Sequence, residues 1–233
     1  MEFKDYHIKE TNKSVLDYKN VDWKKATLED WWQFTKANNE FREPGISYDE
    51  LRALHEACEL LGHRPIRIVE TGMCFGTTTR YFIVRLIKYG GELWSYEVKV
   101  RDLFKQKMEE LDLWNYVNVH GDSMKDAYDN KRIDLMFIDS EHALENALCE
   151  YVRFRPFYYE NTIIGFHDCD TCPGVAKAIN VIQEMDELIE VSSSRNHLGA
   201  GVIFFKRKYS NRRDRPWKLQ KGHELLWVEH PNQ

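Results

Sequence analysis

From residue 65 onward, short apolar runs alternate with longer segments whose apolar residues recur at helical spacing. The runs predicted as strands are IRIVET, ELWSYEV, YVNVHG, IDLMFIDS, TIIGFHD, LIEVSSS and GVIFFKR. The segments predicted as helices are Thr77–Tyr89, Val100–Leu113, Ser123–Asn130, Glu141–Phe154 and Val175–Met185. Strands that alternate with helices and are apolar throughout are typical of parallel sheets. We therefore expect an α/β fold with a largely parallel sheet covered on both faces.

Residues 1–64 have a different pattern, which predicts a helical cap ahead of the α/β domain. The segments TLEDWWQFTKAN and SYDELRALHEACELLG each begin with a capping box, Thr27 with Asp30 and Ser47 with Glu50. Each then continues with apolar residues at helical spacing. We expect the tryptophans of the first segment to pack this cap onto the main domain.

Composition and charge narrow the class of protein. The chain has 233 residues, 42% of them hydrophobic and 30% charged, as expected for one α/β domain with an appendage. A net charge of −5 argues against a chain built to coat nucleic acid. No apolar run reaches the ~20 residues of a membrane span, and the first residues lack the apolar core of a signal peptide. The odd number of cysteines fits a reducing compartment, so we expect a cytoplasmic protein.

Residues 207–233 form a tail rich in lysine and arginine. Two interpretations stay open for it. It is either a solvated surface segment or a patch that attracts an anionic substrate or partner.

The first predicted strand ends in ETGMCFG, a turn typical of nucleotide-like ligands. Dinucleotide sites carry G-x-G-x-x-G, but here the glycines are Gly72 and Gly76, and Glu70 lies two residues before the first. A carboxylate at that point repels a pyrophosphate and favours a ligand with cationic groups, such as S-adenosylmethionine. The carboxylate of that ligand would bind the free N–H groups of Thr77 and Thr78. The charge pattern therefore favours S-adenosylmethionine over NAD.

The next two strand ends also carry polar candidates for cofactor binding. Glu97 is placed to accept hydrogen bonds from both hydroxyls of a ribose. In the segment GDSM, Asp122 either accepts a hydrogen bond from an adenine amino group or caps the following helix. Ser123 is also a candidate for cofactor binding, and it too is placed to cap the following helix.

Taken together, these motifs resemble a known family. IVETGMCFGTTTRYF, WSYEV, GDSM, IDLMFIDSEHALENALCEYVRFRPF and TIIGFHDCDTCPGV are similar in order and spacing to class I S-adenosylmethionine-dependent methyltransferases. The closest resemblance is to small-molecule and sugar O-methyltransferases whose fourth strand ends in Asp-x-x-His and whose fifth ends in His-Asp. The resemblance implies a Rossmann-like seven-stranded sheet with an antiparallel last strand. It makes residues 65–206 the methyltransferase domain.

In such a fold the fourth and fifth strands are neighbours, so Asp139 and Asp168 should lie side by side. We expect them to bind Mg²⁺ or another divalent cation, with Asp139 also contacting the cofactor and taking part in catalysis. A hard cation there would lower the pKa of an acceptor hydroxyl. In related enzymes the third ligand follows the second aspartate, but here that residue is Cys169, a soft donor. Either Asp170 substitutes for it, or the enzyme works without metal.

The general base is expected one turn after Asp139. His142 is the first candidate, and Glu141 is the second. We expect His167 to lie on the opposite side of its strand from Asp168. With Cys169 and Cys172 it forms a second, weaker candidate for a zinc or iron site.

The sequence thus predicts a methyl-transferring enzyme that O-methylates a small polyhydroxylated or sugar-like acceptor. Membranes and nucleic acids are not expected partners, and a homodimer stays open. An NAD-linked oxidoreductase or epimerase is disfavoured by Glu70 and by the glycine spacing. A binding module on the same fold without turnover is the remaining alternative.

Overall fold

The computed structural model describes residues 21–37, 45–195, 200–208, 217–219 and 225–227. Its strands are β1 (Ile66–Thr71), β2 (Gly91–Tyr96), β3 (Val117–His120), β4 (Leu135–Ile138), β5 (Ile163–His167), β6 (Leu188–Ser194), β7 (Val202–Arg207), β8 (Trp217–Leu219) and β9 (Leu225–Trp227). Its helices are α1 (Leu28–Ala37), α2 (Tyr48–Glu59), α3 (Thr77–Tyr89), α4 (Asp102–Glu110), α5 (Leu144–Phe154) and α6 (Pro173–Met185). Every predicted strand is present, and most of the predicted helices are too.

Seven strands form one sheet in the order β3-β2-β1-β4-β5-β7-β6. Strands β1 to β5 pair in parallel, whereas β7 runs antiparallel to both β5 and β6. This topology confirms the predicted Rossmann-like sheet with an antiparallel last strand. Because the chain changes direction at β1, the connections after β1 and β4 diverge and leave a crevice at the carboxyl ends of the strands.

Helices cover both faces of this sheet. On one face, α2, α3 and α4 bury an apolar cluster that includes Leu54 and Phe82, and on the other α5 and α6 bury a cluster that includes Tyr151 and Ile182. The strands between them are apolar on both sides, as doubly covered parallel strands must be. Among the described residues, no helix combines the length and apolar character that crossing a lipid bilayer requires.

The N-terminal helices begin with the predicted capping boxes. Asp30 accepts hydrogen bonds from the backbone N–H and the hydroxyl of Thr27, and the Ser47–Glu50 box caps α2. Trp31 is buried and packs edge-on against Tyr81 of α3, with 5.4 Å between ring centroids. The expectation that the tryptophans pack onto the main domain is therefore confirmed for Trp31, whereas the ring of Trp32 contacts Tyr48 of α2.

One predicted helix is wrong. Residues 123–130 form a turn followed by irregular chain. The Asp122 carboxylate accepts the backbone N–H of Met124, and the Asp126 carboxylate accepts that of Gly121. These short-range bonds satisfy the backbone in a turn, which offers an alternative to helical hydrogen bonds.

Most of the predicted basic tail lies outside the described residues, so both interpretations of it, a solvated segment or a patch that attracts an anion, fall there too. Within that tail the structure describes the end of β7 and a short antiparallel pair formed by β8 and β9.

Candidate functional site

The turn after β1 is shaped by residues with left-handed backbone. Gly72 has φ +83° and Gly76 has φ +72°, and Cys74 between them has φ +45°. A Cβ on Gly72 would lie 2.0 Å from the carbonyl oxygen of Asp139, so only glycine lets β1 and the end of β4 approach this closely. The turn thereby holds the start of α3 against the crevice.

A cavity of about 800 Å³ opens at the carboxyl ends of β1, β2 and β4. Six of the predicted site residues line it, namely Gly72, Glu97, Asp122, Ser123, Asp139 and Glu141. The structure therefore brings together residues that the sequence separates by up to 69 positions (72 to 141). The size suits a nucleoside-containing ligand.

The Glu97 carboxylate is held at the edge of this cavity by backbone amides. Its Oε2 accepts a hydrogen bond from the N–H of Cys74 at 2.9 Å, and its Oε1 accepts one from the N–H of Lys99 at 3.1 Å. Each oxygen keeps a further acceptor position. The role of Glu97 as a ribose acceptor stays a prediction, and both oxygens are held at the cavity where that prediction needs them.

Glu70, in contrast, lies behind the cavity and has no exposed surface. Its carboxylate accepts hydrogen bonds from the hydroxyls of Thr78 at 2.6 Å, Thr79 at 2.8 Å and Ser95 at 2.6 Å. Burial raises the pKa of Glu70 to about 7. Glu70 is therefore not placed to contact a ligand in this cavity, in contrast to its predicted role in selecting a cationic cofactor. Glu70 instead ties β1 to β2 and to the start of α3.

Sequence reasoning missed Glu150, which reaches the floor of the same cavity from α5. It is buried and accepts hydrogen bonds from Thr71 at 2.9 Å, Ser140 at 2.7 Å and Ser123 at 2.5 Å. Ser123 is thus engaged with an acid rather than with a helix terminus. The signal for Glu150 is an acid on the apolar face of a predicted helix.

A second cavity, of about 220 Å³, adjoins the first at the ends of β4 and β5. The two share Cys74, Asp139 and Ser140 in their linings. Thr77 and Thr78, predicted to bind the cofactor carboxylate, line the smaller cavity rather than the larger one. A ligand in one cavity therefore meets a ligand in the other beside Asp139.

Asp139 and Asp168 lie side by side at these strand ends, as predicted, and His167 lies between them. Its Nδ1 is 3.1 Å from Asp139 Oδ1 and 3.1 Å from Asp168 Oδ2. The expectation that His167 points away from Asp168 is wrong. The backbone of Asp168 has φ +57°, and this left-handed turn ends the alternation of side chains along β5.

Carboxylates also determine the charge of this histidine. Burial alone would lower the pKa of His167, but Asp139, Asp168 and Glu50 raise it well above its usual value. Glu50 Oε2 lies 3.9 Å from Nε2. Glu50 therefore contributes to the site in addition to capping α2.

The candidate bases differ in their partners. His142 Nε2 lies 2.8 Å from Asp168 Oδ2, and His142 lines the smaller cavity. Glu141 lines the larger cavity and accepts a hydrogen bond from the amide of Asn146. Of the two, only His142 is beside the paired aspartates.

The residues after Asp168 do not complete a hard metal site. Cys169 is buried, and burial raises the pKa of its thiol to about 11. Asp170 is engaged by Arg195, whose Nε lies 2.9 Å from its Oδ1. Among the described residues, two groups of donor atoms lie within 4.8 Å of one another: Asp139, His167 and Asp168 form one, and His142, Asp168 and Cys172 form the other. Two carboxylates and an imidazole fit a divalent cation that accepts nitrogen ligands.

Comparison with known proteins agrees with this architecture. Residues 69–169 match a family model described as a methyltransferase domain. Similar solved structures include the O-methyltransferase NovP (14% identity, 75% of this chain and 88% of that chain, TM-score 0.57). A SAM-dependent O-methyltransferase from Thermotoga maritima is 16% identical over 81% of this chain and 74% of that chain, with a TM-score of 0.56. The O-methyltransferase from Bacillus cereus in complex with SAH is 16% identical over 77% of this chain and 90% of that chain, with a TM-score of 0.54.

The search of curated proteins found no match to this chain. The family model and the fold nevertheless confirm the resemblance seen in the sequence. Residues 69–169 thus match a methyltransferase domain, and the sheet around them has the same fold as the O-methyltransferase structures compared with it.

Proposed function

We propose that this chain is an S-adenosylmethionine-dependent O-methyltransferase that acts on a small polyhydroxylated or sugar-like acceptor. The observation that carries the proposal is the meeting of two cavities beside Asp139, with His142 in the smaller one. A methyl donor and an acceptor bound in these cavities would be adjacent, as a direct transfer between them requires.

The larger cavity has the features of a site for the donor. Glu97 presents acceptor positions for the ribose hydroxyls, and Val98 and Met124 expose apolar surface at the same cavity, 81% and 41% exposed respectively. An adenine ring would bury that surface between them. When bound, S-adenosylmethionine supplies a methyl group on a sulfonium, which is open to attack by an oxygen nucleophile.

The smaller cavity has the features of a site for a hydroxyl acceptor. The Thr77 hydroxyl is buried there and has no hydrogen-bond partner among the described residues. His142, His167 and Asp168 also line this cavity, and their polar groups suit a polar ligand such as a hydroxyl acceptor. Gly45 and Ile46, which precede α2, close one side of this cavity. We therefore assign the N-terminal segment to the acceptor side.

The protein groups at the junction can remove the acceptor proton. A neutral His142 that donates its Nε2–H to Asp168 keeps its lone pair on Nδ1 and can accept a proton there. In a direct transfer the methyl group would pass from the sulfonium to the acceptor oxygen, and His142 would take the proton of that oxygen at Nδ1. A divalent cation held by Asp139 and Asp168 would lower the pKa of the acceptor hydroxyl.

The first experiment is isothermal titration of the purified chain with S-adenosylmethionine, S-adenosylhomocysteine and NAD⁺. We expect micromolar binding of the two adenosyl ligands and no binding of NAD⁺. Binding of NAD⁺ alone would overturn the proposal at the level of the donor.

The acceptor is then sought by following S-adenosylhomocysteine release with panels of sugars, nucleotide sugars and polyhydroxylated aromatics. His142→Asn should bind the donor with unchanged affinity and lose turnover by at least about 100-fold. His63→Asn, an exposed histidine remote from both cavities, is the matched control. Full activity of His142→Asn would refute the assignment of the base.

A further inference from the structure

The imidazole of His167 adds a nitrogen donor to the two carboxylates of Asp139 and Asp168. Its Nδ1 lies 3.1 Å from one oxygen of Asp139 and 3.1 Å from one oxygen of Asp168. All three residues line the smaller cavity, which we assign to the acceptor. Donor atoms bound cis to one divalent ion stand about 3 Å apart when each bond is about 2.1 Å long. The two nitrogen–oxygen distances, which are those of hydrogen bonds from Nδ1, are therefore also compatible with one coordination sphere.

The other nitrogen of the His167 ring faces a buried carboxylate. His167 is buried, and its Nε2 lies 3.9 Å from Glu50 Oε2, which is beyond hydrogen-bond distance. Binding of a cation at Nδ1 would release the proton from that nitrogen, and the ring would keep its other proton on Nε2, on the side of Glu50. Glu50 is itself held in place, since its Oε1 accepts the backbone N–H of Gly201 at 2.6 Å.

We propose that His167, rather than the residue after Asp168, is the third protein ligand of a cation at Asp139 and Asp168. The site then prefers metals that accept imidazole nitrogen, such as Zn²⁺, Co²⁺ or Fe²⁺, over Mg²⁺. The inference deepens the proposed function, because it names the metal class of the same site. His142 lies next to these three residues, with its Nε2 2.8 Å from Asp168 Oδ2. The sulfur of Cys172 lies within 4.8 Å of donor atoms of His142 and Asp168.

Two features of the cavity support a ligand at this point. Thr77 lines the same cavity, and its buried hydroxyl has no hydrogen-bond partner among the described residues. The thiol of Cys169 is buried and turned toward Asp170, with 4.0 Å between its sulfur and Oδ1. The residue expected from the resemblance as third ligand is thus directed away.

The test measures metal binding directly, without donor or acceptor, so its outcome is independent of methyl transfer. Protein stripped with a chelator is titrated with Co²⁺, Zn²⁺, Mn²⁺ and Mg²⁺ chloride by calorimetry. The variants are His167→Asp, which gives an all-oxygen set, His167→Ala, and Cys169→Ser as the matched control. Circular dichroism and thermal unfolding establish that each variant is folded.

The ratio of the Mg²⁺ to the Co²⁺ dissociation constant should fall at least tenfold in His167→Asp relative to wild type. His167→Ala should lose Co²⁺ binding at least tenfold, and Cys169→Ser should bind as wild type does. Pulsed EPR of bound Mn²⁺ should show ¹⁴N coupling in wild type and in His142→Asn, but not in His167→Asp.

Three outcomes would overturn the inference. Wild-type protein that binds none of these ions at millimolar concentration would leave His167 as the internal partner of both aspartates. Equal Co²⁺ binding by wild type and His167→Ala would place the ion elsewhere. Loss of binding in Cys169→Ser would restore the thiol as the ligand.

Discussion

Glu70→Gln tests whether this acid holds the fold together or contacts the cofactor. The structure gives Glu70 no exposed surface and three hydroxyl partners, so the variant keeps the shape while removing the ionisable group. Burial raises the pKa of Glu70 from 4.5 to about 7 in the folded protein. Such a rise lowers the free energy of unfolding by about 3 kcal/mol at a pH where Glu70 is ionised in both the folded and the unfolded chain.

The sign of the pH dependence follows from the two pKa values. Below about pH 4.5 the carboxyl is protonated in both the folded and the unfolded chain. Between that pH and about 7 the unfolded chain loses its proton while the folded protein keeps it, so the stability contributed by Glu70 falls as the pH rises. The Glu70→Gln variant lacks this dependence.

Urea unfolding of wild type and variant at pH 5 and pH 8 measures the effect, because the other titrating groups cancel between the two proteins. The free energy of unfolding of wild type, relative to the variant, should fall by about 2 to 3 kcal/mol from pH 5 to pH 8. S-adenosylhomocysteine affinity should stay within about threefold. An unchanged difference between the two pH values would refute the perturbed pKa. A tenfold loss of affinity in a folded variant would return Glu70 to the cofactor site.

Three further predictions concern the two cavities and their supports. Glu97→Ala should weaken S-adenosylhomocysteine binding at least tenfold by calorimetry, whereas Asp168→Asn, which lines only the smaller cavity, should bind normally and lose turnover; equal loss of binding in both would contradict this division. Gly72→Ala should lower the free energy of unfolding in urea by about 3 kcal/mol or more, because the new Cβ would collide with backbone atoms. Gly62→Ala is the control, because Gly62 also has a left-handed backbone (φ +73°) but has open space around it, and it should cost about 1 kcal/mol. Similar costs for the two variants would show that the close approach at Gly72 does not limit the residue there. Glu150→Ala should cost about 2 kcal/mol or more, since three hydroxyls lose their acceptor, and an unchanged urea midpoint would show that water replaces it.

Local patterns predicted the elements whose determinants are local. The bounds of α3 follow from the glycine turn before it and Gly90 after it, and the capping boxes of α1 and α2 lie within four residues. The sheet order followed from the resemblance rather than from the periodicity. Apolar runs identify strands, but they carry no information about which strands are neighbours.

The failures share a different cause, which is competition between side chains and backbone. At residues 123–130 the helix was expected from spacing alone, yet Asp122 and Asp126 hold a turn. At the end of β5, strict alternation placed His167 and Asp168 on opposite sides. A single left-handed residue, which no pattern in the strand signals, brings both to the same point.

Buried acids show the limit of sequence reasoning most clearly. Glu50 satisfies a local rule as the third residue of α2, and that rule explains only its contact with Ser47. Its bond to Gly201 and its position behind His167 join residues more than a hundred positions apart. Glu50 is 2% exposed, and a buried carboxylate needs partners that offset the cost of its burial. Those partners are the distant residues Gly201 and His167. Glu50 therefore caps an N-terminal helix and also lies beside the candidate active site. A substitution at Glu50 should change the position or the charge of His167, and through it the contacts of Asp139 and Asp168.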